Sequence, residues 1–127
     1  MNELQLVTFE QAERLKKLGF NWGVNYHYNL GVEYPFSNKV GENYNDNDGD
    51  LYYSAPTVAL ALKWVRDVKG IFSCVDFAIA DFRKGYYHNY FSFENKNYMC
   101  NKKQSLFGSY EDAESALLDE LLNILKK

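Results

Sequence analysis

The chain has 127 residues, 17 acidic and 14 basic side chains and a formal net charge of −3, which is the size of one ordinary domain able to fold without a disulfide or a metal. The slight acidity excludes a general attraction to phosphate backbones or anionic lipid, and no apolar run approaches the roughly 20 residues that span a bilayer. The two cysteines, Cys74 and Cys100, form no CxxC pair and, with His27 and His88, show no short ligand spacing, so they read as reduced structural thiols and the expected cofactor and metal content is none.

The N-terminus, Met1 to Leu6, carries Glu3 and no basic region, and it does not read as a signal peptide. A cytoplasmic setting is expected. Thr8 followed by Gln11 makes a capping box, with Val7 and Ala12 at the positions of a hydrophobic staple. Phe9, Ala12, Leu15 and Leu18 share one face, and Gly19 with Phe20 supplies a stop. A helix is expected over 9–18.

Residues 22–36 alternate around a turn at Asn29-Leu30-Gly31, with Val24, Tyr26 and Tyr28 on one face and Val32 and Tyr34 pairing back. This predicts a β-hairpin whose second strand is an edge, or ends, at Pro35. Ser37 to Asp50 reads as a polar loop, and Leu51 to Tyr53 as a short strand. Pro56 opens a second helix with Ser54 or Ala55 near its cap. Val58, Ala61, Leu62, Val65 and Val68 stripe it, Leu60 and Trp64 widen the stripe, and Gly70 ends it.

Phe72 to Ala80 reads as a strand, with Val75, Phe77 and Ile79 on one face; Asp81 to Gly85 as a turn; and Tyr86 to Phe93 as an aromatic strand. A hairpin loop at Glu94-Asn95-Lys96-Asn97 leads to a third strand from Tyr98 to about Lys102. Ser109 caps a last helix with Glu111, Asp112 and Glu114 in its first turns and Ala113, Leu117, Leu121, Ile124 and Leu125 toward the core. The expected fold is α+β, order α-β-β-α-β-β-β-α. An antiparallel sheet, made of the N-terminal hairpin and a three-strand meander, packs with three helices in one domain, 1–127.

Three segments carry a resemblance: residues 6–12, LVTFEQA; residues 54–66, SAPTVALALKWVR; and residues 110–122, YEDAESALLDELL. Together they resemble a group of small proteins from Bacteroides-type gut bacteria and their phages and prophages, a group with no established activity. The resemblance implies a bacterial cytoplasmic setting and a mobile-element origin. It carries no site residues, because the shared segments are caps and core stripes.

Four chemistries merit weighing. Asp46-Asn47-Asp48-Gly49-Asp50 looks like part of an EF-hand loop, but aligning Gly49 puts Tyr44 and Ala55 where oxygen ligands belong. Asp81 with Glu94 and Lys96 echoes the Asp and E-x-K of a Mg²⁺-dependent nuclease, although Asn95 stands where an apolar residue is usual and E-N-K-N is also good turn composition. Helix, three strands and helix over 56–127 is the order of a double-stranded-RNA-binding module, yet Glu111, Asp112 and Glu114 occupy the place of its basic cluster. His88 lacks any orienting partner visible in the sequence.

The remaining signal is 11 Tyr. Lys outnumbers Arg 11 to 3 and Asn reaches 13, so an AT-rich coding bias explains much of this. Even so, Tyr26-His27-Tyr28, Tyr52-Tyr53 and Tyr86-Tyr87-His88-Asn89-Tyr90 put more rings on strands than one core face hides, and Tyr26, Tyr28, Tyr86, His88 and Tyr90 are the candidate binding surface. The expectation is a non-catalytic binding module acting on a protein partner or on itself, with nucleic acid and membrane not expected as partners. The alternative is a nucleic-acid protein, either the RNA-binding module or the nuclease carried by Asp81, Glu94 and Lys96.

Overall fold

The structure, a computed structural model, describes residues 5–32, 34–45, 52–80, 83–92, 97–100 and 106–126. The protein is α+β with antiparallel sheets. In chain order the elements are α1 (Phe9–Lys17), β1 (Val24–Asn29), β2 (Phe36–Glu42), β3 (Tyr52–Ser54), α2 (Val58–Lys69), β4 (Ile71–Ala80), β5 (Arg83–Ser92), β6 (Asn97–Cys100) and α3 (Tyr110–Leu125). Among the described residues the strands form two three-stranded sheets, ordered β2-β1-β3 and β4-β5-β6, where the sequence suggested a single one. The fold divides into two compact units, Met1–Ala61 with Leu122–Lys127, and Leu62–Leu121.

In the first unit, α1 starts and stops as its residues dictate. The Thr8 hydroxyl accepts from the Gln11 amide N–H at 3.1 Å, and the Gln11 side chain accepts from the Thr8 N–H at 2.9 Å. Val7 and Ala12 are both buried. At the other end the Phe20 N–H reaches the Leu15 carbonyl at 3.0 Å and the Gly19 N–H reaches Lys16 at 3.1 Å. Gly19 has φ 97°, a left-handed backbone that a Cβ would strain.

The hairpin departs from expectation. The turn at Asn29-Leu30-Gly31 forms, with the Val32 N–H donating to the Asn29 carbonyl at 3.0 Å. Val32 and Tyr34 do not pair back, however. The return strand begins at Phe36, so Pro35, which has no N–H to donate, precedes the strand instead of ending it. Part of the stretch read as a loop from Ser37 is therefore β2. Beyond it Asn45 is tied in. Its side chain accepts from the Ser54 N–H at 2.9 Å and donates to the Phe20 carbonyl at 3.0 Å. β1 carries an irregularity between Val24 and Tyr26, which breaks simple alternation, and His27 and Tyr28 are both buried.

The cap of α2 also shifts. The Thr57 hydroxyl accepts from the Leu60 N–H at 3.0 Å, so Thr57 is the cap and Pro56 lies before it. Trp64 is fully buried while Val68 is exposed, so the buried stripe turns toward the tryptophan. In the second unit β4 and β5 pair over ten consecutive positions, from Ile71↔Ser92 to Ala80↔Arg83, without a bulge. β5 therefore starts at Arg83, inside the segment read as the Asp81–Gly85 turn. Short of β6, the Tyr86 and Phe107 backbones exchange hydrogen bonds of 2.9 and 2.8 Å. Ser109 caps α3, accepting from the Asp112 N–H at 3.1 Å.

Candidate functional site

The sequence-predicted site residues fall in different places. Asp81, Glu94 and Lys96 lie outside the described residues, as does Asp46 to Asp50. Tyr26 and Tyr28 belong to the first unit's sheet; Tyr86, His88 and Tyr90 belong to the second unit's sheet.

Tyr28 is buried. Its ring meets Phe9 edge-on at 5.6 Å between centroids, and its hydroxyl donates to the Val7 carbonyl at 2.7 Å. Burial pushes its phenol pKa up. His27 is enclosed by the rings of Tyr44, Tyr52 and Phe36, with centroids 4.3, 5.5 and 5.9 Å away. Tyr26 keeps an exposed side and lines an open cleft of about 820 Å³ with Gln5, Leu6, Gly23, Thr57 and Leu60. Among the described residues that line it, none carries a charge.

On β5, alternation places Tyr86, His88 and Tyr90 on one face, as the sequence indicates. That face lies against α3. The Tyr110 ring stands 6.0 Å from Tyr86, and the Tyr90 hydroxyl donates to Glu120 at 3.4 Å. Both His88 and Tyr90 are buried and Tyr86 is half-buried. The His88 ring stacks on Phe107 at 5.8 Å. Burial lowers its pKa, and the nearby Glu120 carboxylate opposes that shift. Burial raises Tyr90, helped by Glu120.

Because α3 begins at the level of Tyr86, the strand positions beyond that level lack helical cover. Phe77, opposite Tyr86, is 49% exposed, and Ile79, opposite Lys84, is 76% exposed. Phe77 and Tyr86 meet edge-on at 5.0 Å, and Tyr110 is 43% exposed. These four side chains form one apolar patch on one sheet face. Its margin carries Glu111 and Glu114 on the helix side and the exposed Lys84 beside Ile79. Burial, then the Glu111 carboxylate, raises the pKa of Glu114; burial, then Glu114, raises Tyr110.

Comparison with protein families, with curated proteins and with solved structures finds no match to this chain. What it does must be argued from its own residues. The opposite face of the same sheet carries a small polar cluster. The Cys74 thiol lies 3.0 Å from the Asn89 side-chain oxygen and 3.6 Å from an Asp76 carboxylate oxygen. All three belong to paired strand positions.

Sequence reasoning missed Phe77, Ile79 and Tyr110 as surface residues. The signal that finds them is a length mismatch. A hairpin of two ten-residue strands runs past the start of the helix that covers it. Only pairing and helix placement expose that mismatch.

Proposed function

We propose that the protein is a non-catalytic binding module that acts through protein contacts, an accessory factor of the mobile-element kind working in a reducing cytoplasm. The observation that carries the reading is the bare apolar patch of Phe77, Ile79, Tyr86 and Tyr110 on rigid strand and helix positions. Aromatic groups held this way offer contact area at low entropic cost, which suits recognition. Glu111 and Glu114 at the helix side of the patch favour a partner with basic groups there, and Lys84 beside Ile79 favours an acidic group at the other side. The exposed thiol of Cys74 supports a reducing compartment. No helix among the described residues is long and apolar enough to cross a membrane.

The test is affinity capture with the parent and with Phe77→Ser and Ile79→Ser, both chosen because exposed positions tolerate polar groups. Ile79→Ser should melt as the parent does, Phe77→Ser should melt slightly lower because it loses the ring contact with Tyr86, and proteins retained by the parent should be lost by both. Equal capture by parent and variants would overturn the reading.

A further inference from the structure

We propose that β4 pairs edge to edge with β4 of a second copy, antiparallel, about a two-fold axis at Val75. This rests on the binding-module reading and names its partner as the chain itself.

β4 is an edge strand whose sole sheet neighbour among the described residues is β5. Natural edges are blunted by lysine, proline, bulges or brevity. The first unit follows that rule: β2 starts after Pro35 and its pairing is irregular, and β3 has 3 residues. β4 does not. It runs 10 residues, IFSCVDFAIA, with no Lys, Arg, Pro or Gly, and its pairing with β5 is unbroken. Such an edge is a template for another strand.

The pattern along β4 favours its own copy. Ile71 is buried, whereas Phe77 and Ile79, further along the same face, are bare. Antiparallel self-pairing lays the bare end of one strand beside the covered end of the other, so each copy supplies the cover the other lacks.

Charge selects the register. With the axis normal to the sheet, residues of one face meet residues of the same face. Two such registers pair nine residues of each strand within Ile71–Ala80. One is centred on Asp76 and sets two carboxylates directly opposite. The other is centred on Val75. It places Ile79 opposite the second copy's Ile71, Phe77 opposite its Ser73, and Asp76 opposite its Cys74. Like charges directly opposite are destabilising, so the Val75 register is selected. The contact is isologous and closes as a dimer.

Sedimentation equilibrium under reducing conditions and low salt tests this on the full chain. The parent should be a monomer–dimer system. Cys74→Lys sets two lysine–Asp76 pairs across the axis and should tighten the dimer about fivefold; Cys74→Asp sets two repulsive pairs and should weaken it about fivefold. Position 74 is exposed, but it lies beside Asp76 of its own copy, so Cys74→Asp should melt slightly below the parent and Cys74→Lys at or above it; circular dichroism checks that both are folded at the temperature of the sedimentation run. A strictly monomeric parent, or Lys and Asp variants shifting the same way, would overturn the proposal. Same-direction shifts would instead indicate a register in which Cys74 faces itself. A monomer that still captures another protein through Phe77 and Ile79 overturns self-pairing and leaves the binding-module reading standing.

Discussion

The Tyr28 hydroxyl lies 2.7 Å from the carbonyl oxygen of Val7, 21 positions away, in the buried part of the first unit. This bond ties the segment just before α1 to the C-terminal end of β1. Tyr28→Phe leaves that carbonyl unsatisfied and should cost about 1 kcal/mol, of the size a buried hydrogen bond contributes. Tyr26→Phe, at an exposed ring, should leave stability unchanged. Urea denaturation of the two variants checks the difference.

Thr8 and Gln11 each satisfy the other's backbone at the start of α1. Thr8→Ala should destabilise by about 1 kcal/mol, and Thr8→Ser should recover most of it, since the hydroxyl and not the methyl makes the cap. Equal melting temperatures for the alanine and serine variants would show that the cap contributes nothing.

Gly85 is where β5 is approached closely by the chain ahead of α3. A Cβ there would meet the Leu106 Cβ at 2.8 Å and the Phe107 carbonyl oxygen at 2.9 Å. Both are on or near backbone, which yields little. Gly85→Ala should therefore cost about 1–3 kcal/mol, the range for overpacking. Gly108→Ala, with nothing near, serves as the control in the same denaturation series.

His88 is buried with its pKa held below the ordinary 6.5. The unfolded chain then binds a proton at a pH where the folded chain does not, so stability falls as pH drops below about 6.5. Glu114, with its pKa raised above 4.5, acts in the opposite sense, favouring the fold as pH falls just below its raised value. In urea titrations between neutral and mildly acidic pH, His88→Gln should flatten the loss. An unchanged pH slope in that variant would remove His88 as its source.

Much of the fold was legible because it is written in local chemistry. The Thr8 box, the Gly19 and Gly70 stops and the Ser109 cap each involve residues within a few positions of one another, and the structure places them as read. The strands of the second unit were legible because alternation and short connections leave few options. Where local signals competed, reading erred. Pro35 looked like the end of a strand and stands before one. Pro56 looked like a helix opener, while Thr57, with the hydroxyl, makes the cap.

What the sequence determined by itself is the three helices, the strands of the second unit and the sorting of the residues of β4 and β5 into two faces. Strand alternation alone puts Tyr86, His88 and Tyr90 on one face. Only tertiary structure decided that this group lies under α3, that the strands form two sheets, and that Phe77 and Ile79 fall beyond the helix's cover. The reason is physical: alternation and capping are short-range steric and hydrogen-bond effects, whereas burial depends on which distant element arrives over a face and how far along it reaches.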